Sequence, residues 1–254
     1  MSETMNIDDF IVLGNAAPDE MKDFRTTVCY AGFSEKHGMI RLYPVPPTVK
    51  MGRWFRVEVP VERNPQDVRE ESWKIRGSRD EWSQLHKKIK VGEQLKREQQ
   101  IALLRRLEKQ YGVDCIQDLN DQRLSLGFIK PKTVEPYYAK RENQDASKQT
   151  TLFGGEPFWT IRNYGYQPRL KYTCQACKLV QGYHDQQILE WGVYEWMRNN
   201  PDKLDDVWKN LPFGDPEYET SSLLVGNQAR YLNSFLVISI FRFKKTPEQA
   251  RLFD

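Results

Sequence analysis

The chain has 254 residues, of which 39% are hydrophobic and 29% are charged, a balance typical of a globular protein. The longest apolar run, Phe235 to Phe241, is too short to cross a bilayer, and the acidic segment Met1 to Asp9 differs from a secretory signal. We therefore expect a soluble cytoplasmic protein. The net charge of +3 permits a polyanionic partner but does not require one.

Alternating or continuous apolar residues predict strands, and apolar residues at helical spacing predict helices. Strands are expected at residues 10–14, 26–33, 39–43, 54–59, 124–129, 158–163, 169–173 and 235–241. The strands at 26–33 and 39–43 are expected to form a hairpin. Ile40, Leu42, Val57 and Val59 are expected to point inward, because side chains alternate along a strand. Helices are expected at residues 78–89, 93–111, 184–199 and 203–211. This mixture predicts an α/β fold of the α+β kind.

Residues 140–156 are polar and show no periodicity, which is typical of a flexible linker or loop. We therefore expect an N-terminal domain of residues 1–139, this linker, and a C-terminal domain of residues 157–254. Each domain would combine a sheet with a helical insertion. The apolar run from Phe235 to Phe241 is expected to be central to the second core.

Cationic and aromatic side chains are expected together on the outer faces of predicted strands, because side chains alternate along a strand. The pairs are Arg41 with Tyr43, Trp54 with Arg56, and Arg169 with Lys171. Such faces can neutralise phosphates while bases stack on the rings, as in OB-type barrels that hold single strands. The alternative is that these pairs cover an ordinary sheet.

The segment 226–231, just before the last apolar run, offers amide, guanidinium and ring groups on a predicted loop. Asn227, Gln228 and Arg230 are therefore further candidates for contacts with nucleic acid. The alternative is a solvated turn without a binding role.

Cys174 and Cys177 are separated by two residues, and His184 follows them closely. A two-residue spacer lets both sulfurs reach one ion, and such ligands suit zinc. A fourth ligand would come from Cys29, Cys115, Asp185 or Glu190. The alternative is that the cysteines are partly buried free thiols near a turn.

The chain lacks a phosphate-binding loop ending in Lys-Ser or Lys-Thr, and it lacks the common dinucleotide, hydrolase and zinc-protease motifs. No catalytic residue is therefore assigned. One enzyme alternative remains open. His184, Asp185 and Glu190 lie on one predicted helix and could form the centre of a metal-dependent nuclease or nucleotide hydrolase.

Two segments share the pattern Q-x-x-L-F, one in the predicted linker and one in the last residues of the sequence. The pattern is similar to the peptides with which bacterial DNA polymerases and repair proteins bind the DNA sliding clamp. The candidate contact residues are Gln149, Leu152, Phe153, Gln249, Leu252 and Phe253. They would recruit the clamp or another protein of the same system, unless they pack on their own domains.

Several blocks of the sequence resemble a family of uncharacterised bacterial and archaeal proteins with a dual OB-containing domain. The blocks are IRLYPVP at 40–46, VPVERN at 59–64 with ESW at 71–73, SLGFIKP at 125–131, YTCQAC at 172–177 with His184 and Glu190-Trp191, and VGNQ at 225–228 with NSF at 233–235. The resemblance implies two OB-like β-barrel halves with inserted and appended helices and, by analogy of fold, nucleic-acid binding. Its members carry Cys, Cys and His in the second half, which favours zinc as the cofactor over free thiols.

These observations lead to an expected function. We expect a nucleic-acid-binding protein, with DNA or RNA as its partner, in a prokaryotic DNA-processing, repair or defence system. A scaffold that recruits a partner through the Q-x-x-L-F segments is the non-enzymatic alternative.

Overall fold

The computed structural model describes residues 3–23, 25–141, 159–211, 213 and 215–245. The chain forms two compact units, each built from more than one stretch of sequence. The first comprises Met1–Lys96, Lys140–Gln167 and Glu190–Tyr194, and the second comprises Arg97–Ala139, Pro168–Leu189 and Glu195–Asp254. Most of the predicted linker at 140–156 lies outside the described residues, so the predicted domain boundaries stay a prediction.

A closed five-stranded barrel lies in the first unit. The strands of this unit are β1 (Thr4–Asn15), β2 (Asp19–Glu20), β3 (Thr26–Ser34), β4 (Gly38–Val45), β5 (Phe55–Arg63), β6 (Ser72–Ile75) and β7 (Lys90–Gln94). Around the barrel the order is β1-β3-β4-β6-β5, and β5 pairs with β1 to close it. The β4–β6 pair is parallel, whereas the other barrel pairs are antiparallel.

Alternating apolar side chains fill this barrel. Ile40 and Leu42 of β4 are fully buried, as are Val57 and Val59 of β5. The inward direction predicted for these four residues is confirmed. The predicted hairpin is also present, because β3 and β4 are antiparallel neighbours joined by a short turn.

The remaining strands are β8 (Gly112–Val113), β9 (Leu126–Ile129), β10 (Thr133–Lys140), β11 (Tyr166–Thr173), β12 (His184–Gln187), β13 (Tyr218–Gln228) and β14 (Tyr231–Lys244). The helices are α1 (Arg97–Tyr111), α2 (Ile116–Asp121) and α3 (Trp191–Asn199), with 3₁₀ helices at Trp82–Lys88, Ile161–Asn163 and Leu204–Asn210. One sheet has the order β10-β11-β12 and another the order β14-β13-β9-β8. The predicted α+β fold is confirmed, and the described strands of the second unit form these two sheets rather than a second closed barrel.

The prediction of a single helix at 184–199 is wrong. Its first residues form β12, because His184 and the three residues after it pair with β11. Only Trp191–Asn199 is helical. The apolar spacing that predicted a longer helix therefore belongs in part to a strand.

Other segments differ in type or bounds. The helix at 93–111 begins later, at Arg97, because Lys90–Gln94 pairs with β5. The segments 78–89 and 203–211 contain 3₁₀ helices. The strand predicted at 158–163 contains a short 3₁₀ helix at Ile161–Asn163 instead. Within the described residues, no helix has the length and apolar character needed to cross a membrane.

Gly32 lies where β3 approaches β1 closely. A Cβ atom at this position would lie 2.3 Å from the Ile11 backbone oxygen and 2.4 Å from the Phe10 ring. We therefore expect Gly32→Ala to lower the free energy of unfolding by about 1–3 kcal/mol or more, because backbone and a buried ring must move. Thermal unfolding followed by circular dichroism measures the change.

Gly192→Ala in α3 is the matched control. Its added Cβ would lie 3.9 Å from the nearest atom, Oε1 of Glu190, and alanine has the higher helix propensity. We expect an unchanged or higher unfolding temperature for this variant. An equal loss of stability in both variants would contradict the explanation by close approach.

Candidate metal centre and the sheet face beside it

The connection between β11 and β12 carries the three metal ligands that the sequence predicts. Cys174 directly follows β11, Cys177 lies on the connection, and His184 is the first residue of β12. His184 pairs with Tyr172 across the antiparallel strands, and the two rings stack with centroids 5.3 Å apart. The strand pairing therefore fixes the histidine beside the two cysteines.

Cys115 completes the group. It directly precedes α2, and its backbone amide donates a hydrogen bond to the Asp118 carboxylate at 2.9 Å. The ligand atoms of Cys115, Cys174, Cys177 and His184 all lie within 4.8 Å of one another. The structure thus contains a Cys₃His group that can hold a metal ion.

The distances in this group suit a tetrahedral ion. Nε2 of His184 lies 3.4 Å from the Cys115 sulfur and 3.5 Å from the Cys177 sulfur. Bonds of about 2.3 Å to sulfur and about 2.0 Å to nitrogen, at a tetrahedral angle, separate the two ligand atoms by about 3.5 Å. One imidazole nitrogen accepts a single hydrogen, so thiol hydrogen bonds alone would satisfy only one of these contacts. A shared ion satisfies both.

Burial makes this group a poor place for thiolates without a cation. Desolvation raises the pKa of Cys174, and the neighbouring Cys115 sulfur raises it further. Burial lowers the pKa of His184, which favours the neutral imidazole with a lone pair for a metal. The Lys178 backbone amide donates to the Cys115 sulfur at 3.4 Å. A divalent cation would offset the remaining negative charge of the deprotonated sulfurs.

This ligand set is complete without water. Four protein ligands are typical of structural tetrahedral sites, whereas catalytic sites keep one position open. Most residues between Cys177 and His184 are exposed, and Val180 has a fully exposed side chain. Ion pairs of Lys178 with Asp118 and Asp121 also hold this connection, and a metal ion would anchor it at both ends.

The other candidates for the fourth ligand have different partners. The Cys29 sulfur lies 3.7 Å from the Arg41 guanidinium, and Glu190 forms an ion pair with Arg53. Asp185 accepts hydrogen bonds from the Tyr137 hydroxyl and from Arg169 (see below). Cys115 is therefore the fourth ligand that the geometry supports.

The predicted nuclease centre is not assembled on one helix. Successive residues of β12 project to opposite faces, so His184 is buried in the Cys₃His group while Asp185 is exposed on the other side. Glu190 lies beyond the end of β12 and before α3. The prediction that these three residues share one helical face, which this alternative requires, is therefore wrong.

The face of the β10-β11-β12 sheet opposite His184 carries cross-strand pairs. The Thr133 and Thr173 hydroxyls form a hydrogen bond of 2.7 Å, which places these residues directly across from each other. Two residues further along, Glu135 and Lys171 take this same face, because side chains alternate with a period of two along each strand. We call this surface, which also includes Tyr137, Arg169, Tyr183 and Asp185, the sheet face.

Tyr137 and Arg169 form the next pair of the sheet face. Nε of Arg169 donates to the Tyr137 hydroxyl oxygen at 3.0 Å and to Asp185 at 2.9 Å. The Tyr137 hydroxyl donates to the same carboxylate at 2.7 Å. Burial and this hydrogen bond raise the pKa of Tyr137. The three side chains hold one another in place.

Lys171 lies between two aromatic rings of the sheet face. Its ammonium is 5.4 Å from the Tyr183 ring centroid and 6.0 Å from the Tyr137 ring centroid. These distances are in the range of cation–π attraction. The structure thus brings Arg169 and Lys171 together with aromatic side chains.

The barrel candidates lie differently. Arg41 and Trp54 are only 3% and 6% exposed, contrary to the outward exposure that the strand pattern predicts. The connection between β5 and β6 covers Arg41, whose backbone amide donates to the Glu71 carbonyl at 2.9 Å and whose guanidinium is 3.8 Å from the Glu71 carboxylate. Trp54 precedes β5 with a φ of 70°, so strand alternation does not apply to it.

The other two barrel candidates differ from each other. Tyr43 is partly buried, and burial, with smaller contributions from Cys29 and Asp19, raises its pKa to about 12. Arg56 is exposed. The barrel therefore does not present the two cation–aromatic pairs that the sequence predicts.

Asn227, Gln228 and Arg230 lie at the β13–β14 hairpin rather than on a loop. Asn227 is 5% exposed, and its side-chain amide donates to the Leu232 carbonyl at 2.6 Å. Gln228 ends β13, and Arg230 lies in the turn; both are exposed. Asn227 therefore has a structural partner, and the other two remain accessible.

The two Q-x-x-L-F segments lie outside the described residues. The candidate residues Gln149, Leu152, Phe153, Gln249, Leu252 and Phe253 fall in these parts of the chain. Clamp binding through them stays a prediction.

Sequence reasoning missed the two tyrosines of the sheet face and did not single out Cys115. Tyr137 lies on β10, where alternation is visible from Thr133 onwards, but Pro136 argues against a strand. Tyr183 precedes His184 directly, and its place beside Lys171 depends on the chain reversal between β11 and β12. Cys115 is 59 positions before Cys174 by their numbers, so spacing carries no signal for it.

Cys115→Ser tests the ligand set. We expect the purified full chain to contain about one metal ion per molecule and this variant to retain less than roughly a tenth of that, because three ligands bind far less tightly than four. Inductively coupled plasma mass spectrometry measures the metal. Cys29→Ser is the matched control, since it removes a cysteine outside the group, and it should keep the wild-type metal content. Equal metal in wild type and Cys115→Ser would exclude Cys115 as a ligand.

Comparison with family models places both parts of the chain. Residues 6–106 match a domain of unknown function, DUF8758, and residues 109–254 match a second domain of unknown function, DUF8757. The adjoining matches agree with a two-domain organisation. No curated protein and no solved structure matches the chain. Because the second match covers more than half of the sequence, the chain belongs to the DUF8757 family.

Proposed function

We propose that this protein binds single-stranded nucleic acid through the sheet face of β10, β11 and β12. The observation that carries the proposal is the placement of Lys171 between the Tyr137 and Tyr183 rings. A lysine can neutralise a phosphate while neighbouring rings stack on bases. Both groups lie on one surface, on strands whose opposite side is packed.

Lys171 is the cation of the sheet face that supports a polyanionic partner, since Arg169 is paired with Asp185. Among the described residues, Lys171 has no carboxylate within ion-pair distance, so its charge is available to a phosphate. Arg169 is held by Asp185 at 2.9 Å, so its charge is oriented on this surface but partly offset. Lys171 is thus the main electrostatic contact, and Arg169 a second one.

The aromatic side chains support a single strand rather than a duplex. Tyr183 is 39% exposed, so part of its ring is accessible for stacking. Stacking on such rings requires bases that are not enclosed in a duplex, and it contributes about 1–3 kcal/mol per base. A duplex would present mainly phosphates to this surface.

The barrel supports the same function by analogy of fold, and we propose that it is of the OB type. If the barrel strands β1, β3, β4, β5 and β6 are numbered one to five in chain order, their order around the barrel is 1-2-3-5-4, and the fourth closes on the first. The third and fifth are parallel. This is the Greek-key order expected of an OB fold, which commonly binds oligonucleotides. Fold alone does not assign function, so the sheet face remains the main argument.

We propose zinc as the ion of the Cys₃His group, with a structural role. Three thiolates and one imidazole favour zinc over oxygen-seeking ions such as magnesium. Cys115, Cys174, Cys177 and His184 would hold it, and it would fix the connection that leads to Tyr183. Thiols kept reduced for metal binding suit the predicted cytoplasmic location.

Lys171→Ala tests the binding surface. We expect salt-sensitive binding of labelled single-stranded DNA or RNA, and a variant affinity about 3–10-fold lower with a salt slope reduced by about one, because one phosphate contact is lost. Fluorescence anisotropy at two salt concentrations measures both. Lys203→Ala, which removes an exposed lysine of the second unit outside the sheet face, is the matched control and should bind as wild type. Equal losses in the two variants would count against a specific surface.

Removal of the metal should expose the β11–β12 connection to protease. We expect a chelator to speed trypsin cleavage after Lys178 by about tenfold or more, since the ion anchors this exposed segment. Added zinc should restore protection, whereas added magnesium should not. Mass spectrometry of the fragments measures the cleavage, and an unchanged rate after verified metal loss would contradict the structural role.

A further inference from the structure

We propose that a recess on the sheet face holds one unpaired nucleobase and prefers bases that carry an exocyclic amino group. This inference rests on the proposed nucleic-acid function and specifies which class of nucleobase the surface recognises. The recess has a volume of about 390 Å³ and is lined by Thr133, Val134, Glu135, Lys171, Tyr172, Thr173 and Tyr183. This is at the lower end of ligand pockets, about 300–1,000 Å³, so it suits a single nucleotide rather than a base pair.

Hydrogen bonds connect the strands that carry the recess. Thr133 and Thr173 are joined by their hydroxyls at 2.7 Å, and the Lys132 backbone amide donates to the Thr173 carbonyl at 2.8 Å. Tyr172, which forms part of the recess, is 1% exposed, and its hydroxyl donates to Gln186 at 2.8 Å. These hydrogen bonds hold the strands beneath the recess in place before a base binds.

Tyr183 and Lys171 supply general affinity for a nucleotide. The exposed part of the Tyr183 ring offers a stacking surface, and the Lys171 ammonium lies 5.4 Å from the centroid of that ring. A base stacked on Tyr183 would place its phosphate near the ammonium. Neither contact distinguishes one base from another, because every base has an aromatic face and every nucleotide a phosphate.

Glu135 supplies the preference. It lines the recess together with Lys171 and lies on the same face of the sheet. Within the described part of the chain it has no hydrogen-bond or ion-pair partner, so its carboxylate is an available acceptor. A carboxylate accepts from the amino group of cytosine but is repelled by the carbonyl oxygen that replaces it in uracil. The negative charge also disfavours a phosphate at this point, which leaves the phosphate to Lys171.

Oligo(dC) and oligo(dU) of equal length test the preference, because their bases differ at the exocyclic group. By fluorescence anisotropy of the full zinc-loaded chain we expect oligo(dC) to bind about 5–10-fold more tightly, as for one charge-assisted hydrogen bond. Glu135→Gln should reduce the ratio to below about twofold without weakening oligo(dU) binding. Asp202→Asn removes an exposed carboxylate elsewhere in the second unit and should keep the full ratio.

A pair of Tyr183 variants separates stacking from base reading. Tyr183→Phe should bind both oligonucleotides as wild type does, whereas Tyr183→Ala should weaken both by a similar factor, since only the ring is needed. Metal content and circular dichroism confirm that each variant is folded.

Two results would overturn the inference, and they differ from each other. Salt-sensitive, Lys171-dependent binding with equal affinity for oligo(dC) and oligo(dU) would remove the base preference and leave the proposed function in place. The absence of binding to either oligonucleotide at low salt would remove the proposed function, and this inference with it.

Discussion

The four side chains of the Cys₃His group converge on one point, and the position of the sheet face in the second unit depends on this convergence. Cys115, Cys174, Cys177 and His184 come from two separate parts of the chain. Burial of their sulfurs is costly without a cation, since desolvation raises the pKa of Cys174. An ion bound by all four would therefore both offset that cost and join α2 to the β11–β12 hairpin.

The period of two in a strand connects this group to the proposed binding surface. His184 faces the metal group and Asp185 faces the other way, where it holds Arg169 and Tyr137. Likewise Tyr172 stacks on His184, while Lys171 lies on the sheet face. The β11–β12 hairpin thus carries the Cys₃His group on one side and exposed cationic and aromatic groups on the other. Tyr183 links the two, because it directly precedes a metal ligand and also borders the recess.

The sequence predicts the parts of the fold that depend on local pattern. The apolar faces of β4 and β5, the β3–β4 hairpin and three of the four metal-binding side chains follow from alternation and from a two-residue spacer. Cys115 does not, because only long-range contacts between the start of α2 and the β11–β12 connection bring it near. The burial of Arg41 also escapes prediction, since it depends on a parallel pairing between β4 and the distant β6. The local sequence pattern therefore predicts the face of the strand to which a side chain points. Long-range strand pairing determines whether that face is exposed to solvent.

The way the barrel closes has a consequence for association between chains. β1 pairs with β3 on one side and with β5 on the other, so its backbone has no free side along these pairs. β7, which pairs with β5, is a short strand whose five residues are all exposed, and it includes Lys90 and Glu93. Charged residues on short outlying strands discourage strand addition from a neighbouring molecule. The barrel is therefore poorly suited to edge-to-edge aggregation. We expect a partner to bind the side chains of the barrel rather than its backbone.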